Sequence, residues 1–210
     1  MESRNRSKLL IATHNPGKIR EFDAIFADLP VEYLTLTDMG MIEEIPETGD
    51  SYAANALLKA TAACQTTGLL TLADDSGLEV DALGGRPGLY AARYAGLNAT
   101  NADRWAKLLG ELGDTPQAKR TARFRCAIAL AHPSGETQVV EGVCEGQIAF
   151  APVGTGGFGY DPLFYMPDYG CTLAELDEAI KNQVSHRARA AQKARPIILE
   201  WLNTSLPKPM

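Results

Sequence analysis

Two long runs near the middle of the chain, TARFRCAIALAH (121–132) and TQVVEGVCEGQIAF (137–150), alternate in apolar character on either side of a Pro-Ser-Gly turn. A period of two belongs to the pleated strand, and a glycine turn between two such runs belongs to a hairpin. A lone hairpin is marginal in water, so the chain must lay further strands or helices against it. The rest of the sequence supplies both. Lys8 to Thr13 reads as a short buried strand that runs into a turn and then a helix, with Ile19, Phe22, Ile25, Phe26 and Leu29 at helical spacing. VEYLTL (31–36) alternates as a strand, and residues 39–50 form an acidic loop. Asp50 or Ser51 caps a helix to about Thr66 whose apolar face is Ala53, Ala56, Leu57, Ala60 and Cys64. On that helix Ser51, Asn55 and Lys59 are spaced by four and form one polar stripe.

GLLTLADD (68–75) reads as a strand that ends in two aspartates. Helices are expected over 101–112, over 172–182 and over 185–202, the last kinked or broken at Pro196. Strand–helix alternation followed by long antiparallel strands predicts an α/β fold with a mixed sheet. One domain is expected, with its core over about 8–202 and with the first few residues and the 203–210 tail loose.

The 210 residues carry a net charge of −6. A sequence-independent nucleic-acid binder needs a basic face to neutralise phosphates, so polymeric nucleic acid is excluded as the expected partner. A small phosphorylated ligand with a metal stays open. Cys64, Cys126, Cys144 and Cys171 are far apart with no CxxC pair, which predicts reduced cysteines in a cytoplasmic protein. No segment approaches the ~20 apolar residues of a membrane span.

Four segments could carry chemistry. In THNPGK (13–18) a strand ends, a turn follows, and a helix begins with Lys18 in its first turn; free N–H groups and a lysine there suit a phosphate, although the same pattern describes a plain strand–turn–helix. Asp74-Asp75-Ser76-Gly77 places adjacent carboxylates after an apolar run. They suit Mg²⁺, or one of them suits a general base, and a cap or Asx turn is the structural alternative. Glu43, Glu44 and Glu47 could add a ligand or be a solvated run. The glycines of GTGGFGYDPLF (154–164) suggest backbone packed close to a flat ligand, with Phe158 or Tyr160 stacked on a base, or else a tight loop. Ser185 caps the last helix, and Lys181, His186 and Arg187 gather donors there. His14 and His132 show no partner at metal-ligand spacing. Together the four segments offer cations, donors, a metal site and a stacking platform, which are the requirements of a nucleoside triphosphate.

LLIATHNPGKIREF, ETGDSYAANALLKA, LADDSGLEVDALGGRPGLYAARYAG, GTGGFGYDPLFY and SHRARA, in that order from about Lys8 to Leu202, resemble the noncanonical purine NTP pyrophosphatases, the inosine/xanthosine triphosphate pyrophosphatases. The resemblance implies an elongated two-lobed α/β fold around a long mixed sheet, with the active site in a cleft between the lobes. It further implies a homodimer and Mg²⁺-dependent conversion of dITP, ITP and XTP to the monophosphate and pyrophosphate. Carried over, it places Thr13, His14, Asn15, Pro16, Gly17 and Lys18 along the triphosphate. Asp75 becomes catalytic acid/base and metal ligand, and Ser76 a substrate contact. Phe158, Gly159, Tyr160 and Asp161 hold the nucleoside, and Lys181, His186 and Arg187 complete the pocket. Lys59, on the polar stripe, joins Lys18 and Lys181 against phosphate charge. Two departures bear on the metal: the acidic pair that relatives often carry before Thr48-Gly49 reads Pro46-Glu47, and Ala54 stands where they often have glutamate. Glu47 is then the first choice for the second metal ligand and Asp74 the second. Two rival readings remain, a related pyrophosphatase for other modified nucleotides and a nucleotide-binding regulator without turnover.

Overall fold

The computed structural model describes residues 6–204. The order of elements begins β1 (Ser7–Ile11), α1 (Pro16–Ile25), β2 (Val31–Thr35), α2 (Tyr52–Thr67), β3 (Leu70–Val80) and β4 (Pro87–Gly88). It continues with α3 (Asn101–Leu112), β5 (Thr121–Ala131), β6 (Thr137–Ile148), β7 (Phe164–Met166), β8 (Cys171–Thr172), α4 (Glu178–Val184) and α5 (His186–Thr204). The strands form one mixed sheet in the order β2-β1-β3-β5-β6-β7-β8, with β4 beside β3. β1 runs parallel to β2 and β3, whereas β7 is antiparallel to β6 and β8. The expected hairpin is β5–β6, closed by His132 N–H donating to Glu136 O at 2.8 Å.

The chain separates into two compact units: the described parts of Met1–Asp75, Ala127–Glu141 and Arg189–Met210, and a second of Ser76–Cys126 and Gly142–Ala188. In the first, α2 lays Ala56, Ala60 and Ala63 against Ala73 of β3 and Ala127, Ala129 and Ala131 of β5. Residues two apart on a strand share a face, so the three β5 alanines form one smooth row. Small side chains on helix and sheet let their backbones approach, and a short polar side chain on α2 can then reach a strand. α2 starts at Ser51, whose side chain accepts from Ala54 N–H, and ends at Gly68 in the left-handed region (φ 69°). The second unit buries Leu78, Leu108, Phe124, Ile148, Leu163 and Phe164 in its core.

Three expectations are corrected. The strand does not end at Asp75: β3 runs through both aspartates to Val80, with Asp74 and Asp75 buried. Charges usually close a strand; here partners on the helices offset their desolvation. Residues 172–182 are not one helix. Thr172 ends β8, Leu173 N–H donates to Phe164 O, and α4 begins only after Asp177, whose carboxylate caps Ala179 N–H. Of the kink or break expected at Pro196, the break is corrected: α5 runs through Pro196 as one helix. The expectation of loose ends concerns residues 1–5 and 205–210, which lie outside the described residues, while Asn203 and Thr204 belong to α5.

Candidate active site

Two clusters of polar side chains form, one in each unit. The first begins at α1. Asn15 is its N-cap: its Oδ1 accepts from Gly17 N–H at 2.9 Å and Lys18 N–H at 3.3 Å. This corrects the expectation of free N–H groups at the helix start, because Pro16 has none and the next two are taken by the cap. What the turn presents is a cation. Lys18 Nζ lies 2.9 Å from Asp74 Oδ1 and 3.4 Å from Asp74 O. His14 is half-buried, and its Nε2 is buried with no hydrogen-bond partner among the described residues. It is one polar atom of THNPGK left for a ligand to meet.

Asp75 faces α2, on the same side of β3 as Ala73, and its Oδ2 accepts from Asn55 Nδ2 at 3.0 Å. Its neighbour on the strand points the other way, toward Lys18 of α1, as the pleat requires. Burial pushes the Asp75 carboxyl up from its ordinary value, against the pull of Lys59, the Asn55 hydrogen bond and Lys18. Lys59 Nζ lies 2.5 Å from Glu47 Oε1. Burial alone would depress the Lys59 ammonium, but Asp74, Asp75 and Glu47 outweigh it and hold it above its ordinary range. Asn55 and Lys59 of the helical stripe therefore point toward carboxylates, while Ser51 is exposed and caps the helix.

Magnesium takes hard oxygen ligands, often only one or two carboxylates together with waters and substrate phosphates. Asp75 and Glu47 fit that requirement: both are oxygen donors, and Glu47 is among the groups whose charge raises the Asp75 carboxyl. Asp74 fits it less well, since it turns to the opposite face of β3, toward Lys18. Among the described residues no three His, Cys, Asp or Glu side chains gather into a closed metal cage.

The second cluster is built on residues 157–161. Asp161 Oδ2 accepts from Lys181 Nζ at 2.6 Å and from Phe158 N–H at 2.8 Å. The Phe158 ring has Lys181 Nζ at 5.4 Å and Arg187 Cζ at 5.6 Å from its centroid, both within cation–π range. Arg187 Nη2 donates to Ser76 Oγ at 2.9 Å, and the His186 ring stacks on Phe124 with centroids 4.6 Å apart. Ser185 Oγ accepts from Ala188 N–H in the first turn of α5, as its capping role requires.

Here too the structure revises expectations. A Cβ on Gly154 or Gly156 would meet Ala174 O at 2.8 Å, and one on Gly157 would fall 2.0 Å from Asp161 Oδ2. Those glycines admit the protein's own atoms; only Gly159 has open space where a Cβ would stand. Tyr160 belongs to the core, its hydroxyl donating to Ala91 O at 3.0 Å. Asp161 spends its carboxylate on Phe158 and Lys181. Trp105 lies outside every candidate segment, yet its indole N–H donates to Gly159 O at 2.8 Å and ties the loop to α3. Asn55 appeared only as a member of a stripe, without its partner.

The first unit thus holds a buried carboxylate near two lysines, and the second an aromatic ring flanked by two cations. Residues 9–197 match the model of the Ham1 family, and the chain belongs to that family. It is 54% identical over 186 residues to a dITP/XTP pyrophosphatase of Geobacillus kaustophilus, covering 89% of this chain and 91% of that protein. A dITP/XTP pyrophosphatase of Geobacter sulfurreducens is 51% identical over 88% and 92% of the two chains. Among solved structures, the Ham1 protein of Staphylococcus aureus superposes with a TM-score of 0.82 at 40% identity, over 92% of this chain and 99% of that one. A HAM1 protein from Coxiella burnetii gives 0.83 at 40% identity over the same shares.

Proposed function

We propose that this protein is a nucleoside triphosphate pyrophosphohydrolase that converts dITP, ITP and XTP to their monophosphates and pyrophosphate, removing deaminated purines from the nucleotide pool. The observation that carries this reading is Asp75: a buried carboxylate, raised by its surroundings, with Lys59 in its field and Lys18 on the neighbouring aspartate. The relatives' activity matches what such a group can do.

In this reading water attacks the α-phosphorus and pyrophosphate leaves. Mg²⁺, held by Asp75 with Glu47, would neutralise phosphate charge and acidify water when bound. Asp75 orients the attacking water and accepts its proton. Lys18 and Lys59 meet the phosphates, and His14 Nε2 is free to join them. Phe158 stacks on the purine, and Arg187 and His186 donate to its 6-oxo group. Adenine offers an amino group at that position and leaves those donors unpaired, a mismatch that can be rejected by roughly 10⁴-fold. Action as a cytoplasmic homodimer belongs to the same reading through the family resemblance.

The test is pyrophosphate release from dITP, ITP, XTP, ATP and GTP with and without Mg²⁺. Turnover of the first three, dependent on the ion and far faster than that of ATP, is expected. Nucleotide binding with no release from any of them would instead make the protein a regulator.

A further inference from the structure

Asn55 occupies a costly position. It sits in the helix run Ala53-Ala54-Asn55-Ala56, where asparagine is a poorer helix former than the alanines around it, and it is only 3% exposed. A buried amide must be hydrogen-bonded, and this one is bonded at both ends. Its Oδ1 accepts from Gly49 N–H at 2.8 Å, and its Nδ2 donates to Asp75 Oδ2 at 3.0 Å. A backbone N–H can only donate and an ionised carboxylate can only accept, so the amide has one possible orientation.

The Gly49 contact is as close as it can be. A Cβ at that position would lie 2.7 Å from Ala54 Cβ and 2.9 Å from Asn55 Oδ1. Gly49 is two residues from Glu47, which Lys59 holds at 2.5 Å. Asn55 and Lys59 stand one turn apart on α2, a rise of about 6 Å. One helix therefore supplies one side chain to each of the two carboxylates.

We propose that Asn55 is a positioning residue for the reaction. It fixes the Asp75 carboxylate and, through Gly49, the loop carrying Glu47, so that α2 sets the spacing of the two carboxylates that would hold the ion. This inference rests on the proposed pyrophosphohydrolase reading and names a residue beyond those already assigned to it.

The test compares the wild type with Asn55→Ala and Asn55→Asp in three measurements: dITP turnover, Mn²⁺ binding by electron paramagnetic resonance, and folding by circular dichroism. Asn55→Asp keeps an acceptor for Gly49 N–H but has no N–H for Asp75, so it preserves the loop anchor if folding is all that Asn55 provides. Assays run at alkaline pH, where neither carboxylate holds a proton to share. Both variants are expected to lose about 10–100-fold in kcat and to bind Mn²⁺ about tenfold or more weakly, with KM for dITP within about threefold, the scale of losses from residues that orient metal ligands. A kcat for Asn55→Ala within about threefold of the wild type overturns the proposal, and so does a folded Asn55→Asp that matches the wild type. If the wild type releases pyrophosphate from no purine triphosphate, the proposed function fails. The Mn²⁺ affinities then decide Asn55 alone, and equal values in all three proteins overturn its role.

Discussion

Lys181 Nζ lies 2.6 Å from Asp161 Oδ2, with the two side chains only 6% and 5% exposed, and a Cβ on Gly157 would fall 2.0 Å from that same oxygen. One carboxylate oxygen thus carries the lysine, the Phe158 N–H and the close approach of a glycine whose φ is 68°.

Removing one partner of a buried ion pair leaves an uncompensated charge, so Lys181→Ala is expected to lower stability by about 3–5 kcal/mol. Urea denaturation measures it. Gly157→Ala adds a methyl where Asp161 already stands, in a backbone region that disfavours side chains, and should lower the melting temperature and raise KM for dITP together. A Gly157→Ala variant with unchanged KM would show that the loop's shape does not matter to the substrate.

Local chemistry made part of this molecule legible. The cap at Ser51, the hairpin turn at 133–135 and the helical spacing from Ile19 to Ile25 are settled by residues close in sequence and are readable there, whereas Phe26 and Leu29, expected at the same spacing, lie past the last residue of α1. The course of β3 through Asp74 and Asp75 was not, because its justification is tertiary: Lys18 on α1 and Asn55 on α2 meet those carboxylates. The glycines of 154–157 fit either a close flat ligand or a tight loop in sequence, and the protein atoms they admit are those of Asp161, close along the chain, and of Ala174, whose approach only the fold reveals. Asn15 was seen to open a helix, but its side chain consumes the very donors that opening seemed to offer.

Asp75 sets a trade between activity and stability. Burial raises its carboxyl from 3.8, so the folded protein holds that proton more tightly than the unfolded chain does. Stability from this group is therefore full below the ordinary value and falls as the pH rises through the folded one. Asp75→Asn should nearly abolish turnover while still binding nucleotide. Without divalent metal it should also melt higher than the wild type at neutral pH, with the gain closing as the pH falls toward 3.8. Thermal melts across that range check it. A variant that melts lower at neutral pH would mean that attraction to Lys59 and Lys18 outweighs burial.

In the proposed reaction Lys18 acts on phosphates and not on the base. Lys18→Ala should lower kcat/KM for ITP and XTP by similar factors, and a large change in their ratio would show that it reads the base instead. Because Lys18 also neutralises buried Asp74, the variant should lose stability as well. Adding Asp74→Asn should restore much of that stability and none of the activity.

In the proposed reaction Phe158 and Arg187 read the purine. Phe158 carries two cations near its ring, Lys181 and Arg187, and Arg187 is 1% exposed with a hydrogen bond to Ser76 Oγ. A base stacked on Phe158 would gain from the ring whatever its substituents, because every purine has a π-face. Phe158→Ala should accordingly cost about 1–3 kcal/mol of binding for ITP and ATP alike. Arg187 is different, since a guanidinium can only donate. It can meet the 6-oxo acceptor of hypoxanthine but finds a donor on adenine, so Arg187→Ala should depress kcat/KM for ITP strongly and for ATP little, and the ITP/ATP preference should shrink. Loss of the Ser76 contact would act on both nucleotides equally, which is why the ratio, and not either rate, is the quantity to measure. Arg187→Lys keeps a charge near Phe158 but loses the planar fork and should recover only part of the preference. An equal fall for ITP and ATP in Arg187→Ala would make Arg187 a support for Phe158 and Ser76, and would leave base selection to His186 and to backbone donors of the 157–161 loop.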